Sequence, residues 1–468
     1  MTTKRELFLF SFYDHTGNTR HLEAKAARGW MLTAVSTGTG LWRYRKMPPR
    51  KLRFAVTYFP KASQFDAAPG EGQQSFLDYC EAAGWTFVAH SSQMQIFCTE
   101  AEDPVPLDTE PTVQVENIHR AMKANYLIGQ FFILALALFY LCRYIYRLVT
   151  RPLDFLCSAS SLSSAGCMLL LLAQALIELF TYFRWHRRAQ RAAEEEGRFL
   201  PTRGNRWLQA GMLWAVVLIE LCYLPTLESG YLGFFLSYLT VFFLCIGAGR
   251  LLQSAMKKGG VSTGVNRTVT LTAVGVLTGL STFVLIYGTV NGDFFSIRSG
   301  NTEEYTWQGR TFTAYCDDLP LSLGDLTGAP DGDYSRSLQE NGTFLLREVE
   351  AYQRLRHDAC PVPAEQAASL SYNVWTSPLP ALLDLVVEEQ FDEAEAFRIR
   401  YGDIIPAGEC EYEPAAPAPW GAESAFAYHS GTDVTCLLRW ENRVALIVFA
   451  CSPTLEQMAT AAGKLTEI

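Results

Sequence analysis

The chain of 468 residues reads as three bodies: an α+β N-terminal domain of ferredoxin-like character built from two βαββ repeats, a five-helix transmembrane bundle, and a second α+β domain. Three observations predict this division. A strand-helix-strand-strand order occurs twice before residue 105, five long apolar runs lie between Tyr126 and Val290, and a strongly acidic segment follows from Asp293.

The first domain spans residues 1–105. Glu6 to Tyr13 predicts a strand, Thr19 to Arg28 a helix, and Trp30 to Val35 and Leu41 to Arg45 two further strands. The order then recurs as strand Leu52 to Phe59, helix Gln73 to Ala83, strand Trp85 to His90 and strand Met94 to Thr99. Each helix stops at a Gly followed by Trp: Ala-Ala-Arg-Gly29-Trp30 and Glu-Ala-Ala-Gly84-Trp85. Glycine supplies the left-handed backbone that closes a helix, and the following ring is placed to pack on a sheet. The two units are expected to share one mostly antiparallel sheet with both helices on one face.

On these Gly-Trp elements, on Phe-Ser-Phe-Tyr-Asp at Phe10 to Asp14 and on Gln95-Ile96-Phe97, the chain resembles the bacterial family called domain of unknown function 2812. The resemblance covers residues 5 to 105, with a looser likeness beyond, and departs at the small polar link Thr37 to Gly40. It implies a membrane-anchored protein of Firmicute-type bacteria, in a family often encoded beside PadR-like transcription regulators, and so a cytoplasmic protein partner of that kind. No catalytic residues carry over from it.

Residues 106–125 form a linker and a juxtamembrane helix. Pro, Asp and Glu between Ala101 and Pro111 predict an extended spacer that holds the domain away from the membrane. Val113 to Asn125 then predicts a helix running into the first crossing. His119, Arg120 and Lys123 on it are read as a basic anchor at the headgroups, or as part of a helix that transmits movement.

The five apolar runs are residues 126–146, 155–183, 207–224, 231–249 and 269–290, each near the roughly 20 residues a helix needs to cross a bilayer. Orientation follows from the loops. The second holds seven arginines from Arg184 to Arg206 and the fourth holds Arg250, Lys257, Lys258 and Arg267, whereas Thr226 to Gly230 has no basic residue. The positive-inside rule therefore places the N-terminus in the cytoplasm and the C-terminal domain outside a multi-pass cell-membrane protein. Arg143, Arg147 and Arg151 go against that vote.

Polar groups within the runs are few. Glu178 and Glu220 occur in the same string, Ile-Glu-Leu, near opposite membrane faces, so they form no carboxylate pair; an ion pair of Glu220 with Arg143 is expected instead. Gln130, Gln174 and Gln209 are too scattered to complete a polar path, which makes the carboxylates end-of-helix groups reaching the interface. Gly275 and Gly279 form a small-xxx-small face suited to helix contact inside the bundle, or in a dimer.

Residues 293–468 hold 28 acidic and 11 basic residues, a balance of −17; since the whole chain carries −9, residues 1–292 carry +8. That balance excludes nucleic acid as the partner of this domain. Expected elements are a hairpin turning at Gln308-Gly309, strand Ser369 to Thr376 with helix Leu379 to Glu389, a hairpin Val434 to Trp440 and Arg443 to Ala450, and a closing helix Thr454 to Lys464. A turn at Glu441-Asn442 sets Cys436 opposite Ile447 and away from Cys451; Cys360 with Cys410 is the pairing left open. Asp317-Asp318, Asp331 to Asp333 and Glu409 to Glu413 lack the ligand spacing of a calcium loop and read as a solvated acidic face. No metal, cofactor or catalytic motif is called. The expectation is a membrane-spanning sensor or regulatory protein without catalysis, the alternative being a small transporter or an accessory subunit of one.

Overall fold

The computed structural model describes residues 2–8, 13–35, 41–107, 110–202, 204, 206–223, 229–290, 301–328, 334–358, 369–401, 406 and 409–468. The fold is mixed α/β, with sheets towards both ends of the chain and, among the described residues, four helices long and apolar enough to cross a membrane. Two compact units divide it: residues 1–142 with 165–296, and residues 143–164 with 297–468.

The first unit opens with β1 (Thr3–Leu7), α1 (His15–Ala27), β2 (Trp30–Val35) and β3 (Leu41–Lys46), then β4 (Arg53–Tyr58), α2 (Glu71–Ala82), β5 (Thr86–Ser91) and β6 (Met94–Thr99). Both helices end on a glycine in the left-handed region, Gly29 at φ +79° and Gly84 at φ +83°. At Gly29 a side chain is also excluded sterically, because a Cβ would lie 2.6 Å from the Met47 carbonyl. Trp85 is buried and donates its indole N–H to the Val105 carbonyl at 2.8 Å; Trp30 is half-buried with the Lys46 ammonium 5.0 Å over its ring.

The single shared sheet is not what forms. Each repeat makes its own three-stranded antiparallel sheet, β1-β3-β2 and β4-β6-β5, with the last strand central. The strands that would have joined them, β2 and β5, run close together but carry a register irregularity at the same place in each repeat, Leu32/Ala34 and Phe87/Ala89. A bulge twists its strand and interrupts the ladder, which accounts for the break. Helix α1 ties the repeats together instead by packing on both β2 and β4.

Next come α3 (Pro111–Met122), a π-helical turn (Lys123–Leu127) and α4 (Ile128–Thr150), continuous as expected. Then follow α5 (Pro152–Leu156), α6 (Ala159–Glu195), α7 (Arg206–Tyr223), α8 (Ser229–Lys258) and α9 (Thr263–Val290). The run expected to begin at Phe155 starts later, since Pro152 opens a separate short helix that closes at Cys157. The expected third crossing, residues 207–224, is α7, whose apolar stretch Trp207–Cys222 is shorter than the other four apolar helices.

The second unit contains hairpin β7 (Thr302–Trp307) and β8 (Arg310–Tyr315), α10 (Leu323–Thr327), β9 (Tyr334–Gly342), β10 (Arg347–Leu355), β11 (Ser369–Thr376), α11 (Pro380–Tyr401), β12 (Glu413–Pro414), β13 (Ser424–Ser430), β14 (Asp433–Trp440), β15 (Arg443–Phe449) and α12 (Leu455–Glu467). Seven strands form one antiparallel sheet in the order β12-β13-β14-β15-β11-β10-β9. Strand alternation sends Cys436, Leu438, Ala445 and Ile447 to the face covered by Ala461 and Leu465 of α12, and Leu437 and Val444 to the face covered by Leu383 and Val386 of α11. Leu153 and Cys157 join the second of these cores. Cys436 stands opposite Ile447, as the tight turn requires. Cys360 and Asp331 to Asp333 lie outside the described residues, as do Phe10 to Phe12 and Thr37 to Gly40.

Candidate functional site

The first unit concentrates its buried polar groups where the sheet domain meets the apolar helices. The linker does not hold the two apart. Its first residues lie along the sheet domain, through the Trp85–Val105 bond and the ion pairs Arg50–Glu100 and Lys51–Glu102. One core then runs from Phe8, Leu22, Trp42, Val56 and Ile96 through Ile118 and Met122 of α3 to Leu179 and Tyr182 of α6. The reason lies in α6, which continues past the apolar run that ends at Phe183 and offers its last three turns to the domain. His119, read as a headgroup anchor, faces inward: its Nδ1 lies 2.8 Å from the Tyr182 hydroxyl and its ring stacks on His186 at 4.2 Å. Arg120 is paired with Glu116 one turn back.

Two polar latches flank this core. In the first, Thr16 and Thr202 each donate a backbone N–H to the other's hydroxyl, at 3.0 and 3.1 Å. The Thr202 hydroxyl donates to Asp14 Oδ1, which also caps α1 by accepting from Gly17 N–H, both at 3.0 Å. Gly17 is needed there, because a Cβ would fall 2.2 Å from Asp14 Oδ2. The Thr16 and Thr202 hydroxyls also lie 2.9 and 3.2 Å from His15 Nδ1, which joins the ring to the latch. In the second latch, the loop after β4 receives the turn between α8 and α9: Asn266 Nδ2 donates to the Phe65 carbonyl at 3.1 Å, the Thr263 hydroxyl to Asp66 at 2.6 Å, and Gln253 Nε2 to the Gln64 carbonyl at 3.1 Å.

Burial pushes the His15 imidazole down to about 4, with the Asp14 charge opposing. The folded value lies below the ordinary 6.5, so between the two the unfolded chain binds the extra proton. The stabilisation is complete above the ordinary value and is lost as pH falls through that window. The whole interval is worth about 3 kcal/mol, and partial exposure of the ring screens it to on the order of 2 kcal/mol. Thermal unfolding of the full-length protein across this window should therefore show a midpoint that falls with pH, and His15→Gln should flatten the slope. An equally steep fall in His15→Gln removes His15 as its cause.

Glu178 is enclosed by its neighbours and not open to the surface. It is 2% exposed, accepts from the Tyr126 hydroxyl at 3.2 Å and is also bonded by Gln209. Gln209 and Gln174, expected to be scattered, line one cavity of about 270 Å³ together with Tyr126 and Met212. Tyr13 of the sheet domain adjoins the same cluster, and its phenol is pushed up to about 12, chiefly by burial. Glu220 stands apart and accepts from the Cys167 thiol at 3.3 Å. Arg143, its expected partner, belongs to the second unit, so that pair stays a proposal. Within the chain Gly275 and Gly279 make no close helix contact: a Cβ on either would meet nothing within 4 Å, whereas one on Gly249 would meet Val274 at 2.2 Å.

In the second unit, a cavity of about 550 Å³ is lined by Asp154, Glu348, Glu389 and Glu393 with Arg151. Burial raises the Glu348 and Glu389 carboxyls, and neighbouring carboxylates add to this. Arg151 pairs with Asp154 at 3.7 Å, and Arg147 donates to Ser161 at 3.2 Å, which gives two of the anomalous arginines local partners. The acidic clusters are partly structural: Asp317 accepts the Asn301 and Leu338 N–H groups, and Glu409 accepts that of Gly431.

These contacts give the N-terminal segment one assembly of repeats, juxtamembrane helix and helix ends. The model of the family described as Protein of unknown function (DUF2812) matches residues 15–129. That bears out the resemblance read from the Gly-Trp repeats. The matched segment runs from α1 through α3 into the start of α4, so it takes in the juxtamembrane helix as well as β2 to β6. No curated protein and no solved structure matches the chain. Sequence reasoning missed Thr16, Thr202 and Asn266; the one local signal was Asp14 three residues before Gly17, a helix start.

Proposed function

We propose that this is a multi-pass membrane protein of regulatory type, in which the sheet domain lies in the cytoplasm, the acidic domain lies outside, and movement of the helices is passed to the sheet domain. The observation that carries this reading is the core shared by the sheet domain, α3 and α6. A flexibly tethered domain could not be driven by helix displacement, whereas one packed on Leu179 and Tyr182 must move with them.

Five crossings are supported by the latches. Thr202, Trp207 and Leu208 line a cavity with Asp14 at the start of α7, and Asn266 near the start of α9 also contacts the sheet domain. Both helices therefore begin at the domain's end of the bundle, so α7 and α8 run out and back although α7, about 27 Å long, is short. The second and fourth loops, rich in Arg and Lys, then share that end, which the positive-inside rule assigns to the cytoplasm.

The exposed Cys451 tests the placement of the acidic domain. In a variant whose other cysteines are replaced by Ser, a membrane-impermeant maleimide applied to intact cells should label Cys451, and further replacement by Cys451→Ser should abolish the labelling; labelling that appears only after lysis overturns the topology. Coupling is tested on the full chain, since a fragment ending before Pro111 loses part of its own core. Photo-crosslinking from the exposed Tyr79 should capture a defined cytoplasmic protein, and capture should change in the Tyr182→Ala variant discussed below. Background-level capture from both counts against a regulatory role.

The second reading, transport, is favoured by one feature, the Glu178–Tyr126–Gln209 cluster beside the 270 Å³ cavity. Unchanged proton and cation flux in vesicles carrying Glu178→Gln and Glu220→Gln would remove it.

A further inference from the structure

The side of α1 that the first latch leaves open forms one wall of a cavity of about 710 Å³. Arg20 and Arg28 line it, two turns apart on a single stripe with the small Ala24 between them. Both arginines are exposed, and neither has an ion pair among the described residues. The other charges of the wall are committed. Lys25 is bonded to Glu6, and Asp14 Oδ1 takes the Gly17 N–H and the Thr202 hydroxyl. The cavity thus offers two uncommitted guanidinium groups, and the carboxylate beside them is already engaged.

The opposite wall is of a different kind. Trp207 and Leu208 lie in the first turn of α7, whose stretch through Cys222 is apolar on average, and Trp207 is 82% exposed in the isolated chain. A tryptophan at the first turn of an apolar helix sits at headgroup depth. Cationic side chains face apolar ones across this space; with α7 in lipid, that is the height where a phospholipid changes from phosphate to acyl chain.

We propose that this cavity is a binding site for the phosphate of an anionic phospholipid, with Arg20 and Arg28 holding phosphate oxygens and Trp207 and Leu208 lying against the glycerol and first acyl carbons. The arginine fork suits paired phosphate oxygens better than an ammonium does. A lipid held here touches the segment that carries Thr202, so occupancy bears directly on the latch between α1 and the helices. The site rests only on α7 entering lipid, not on the regulatory reading.

The test uses the full-length protein in phosphatidylcholine nanodiscs, with short-chain phosphatidylglycerol titrated in and bound lipid counted by native mass spectrometry. Each arginine at such a surface contributes about fivefold in affinity. Arg20→Gln should therefore weaken retention about fivefold and Arg20→Gln with Arg28→Gln about thirtyfold. Both side chains are exposed, so thermal midpoints in phosphatidylcholine alone should be unchanged, which separates lost binding from lost folding. Lys51→Gln, equal in charge change but paired with Glu102 elsewhere on the domain, should retain lipid as the wild type does. Wild-type retention by the double variant, or a loss in Lys51→Gln as large as in Arg20→Gln, overturns the site. Glycerol phosphate is added as a competitor. Failure to displace the lipid supports a membrane source, while displacement at equal concentration keeps the phosphate site and rejects the lipid as its natural occupant.

Discussion

Tyr182→Ala should separate the sheet domain from the helices it rests on. The side chain is fully buried, its ring meets Tyr13 edge-on at 5.3 Å and its hydroxyl lies 2.8 Å from His119 Nδ1. Truncating a buried aromatic residue costs about 3–5 kcal/mol, through lost burial and the cavity left behind. That is a large part of what a domain of this size has in reserve. Tyr182→Phe keeps the ring and gives up only the hydroxyl contact, worth about 1 kcal/mol. Urea unfolding of the full-length protein in micelles, followed by limited proteolysis within residues 1–105, should show early opening of the sheet domain in Tyr182→Ala and a near-normal midpoint in Tyr182→Phe. Equal midpoints for the two variants would mean that the domain's core does not depend on α6.

The contrast between what could be read from residues and what could not follows the range of the interactions. Gly29 and Gly84 are legible because a helix stop is decided locally, by a left-handed backbone that glycine adopts without strain. The Cys436–Ile447 register is legible for a similar reason: a two-residue turn leaves one way to pair the strands. The Thr454 cap and the helix after it are equally local, with Gln457 returning a side-chain bond to the cap. The junction is another matter. Thr16 and Thr202 stand 186 residues apart, and nothing in the composition of either segment signals the other. Glu178 misled for the same reason: hydropathy gives its depth near a helix end, but burial comes from Tyr126 and Gln209 on neighbouring helices. The apolar window around residues 155–183 also hid a helix that continues to Glu195, because charged residues beyond the lipid end a hydropathy run without ending a helix.

Asn266→Ala should weaken the second latch by about 2–3 kcal/mol, since it leaves a buried carbonyl without its donor. Asn266 is 0% exposed and works in both directions: Nδ2 donates to the Phe65 carbonyl at 3.1 Å, and Oδ1 accepts from the Thr270 hydroxyl at 3.1 Å. Asn266→Asp should be worse than Asn266→Ala, although it is closer in shape, because it sets an oxygen against the Phe65 carbonyl in place of an N–H. A loss in Asp smaller than that in Ala would rule out the donor role. Combining Asn266→Ala with Tyr182→Ala then asks how the domain is held. The two residues belong to different contact clusters, and independent sites add to within roughly 0.5 kcal/mol. Additive losses mean that the helix ends grip the domain at separate points, so that a shift of α9 against α6 shears it. A coupling well above that limit means that the domain follows the helix ends as one rigid body, and a helix displacement then reaches both sheets at full amplitude.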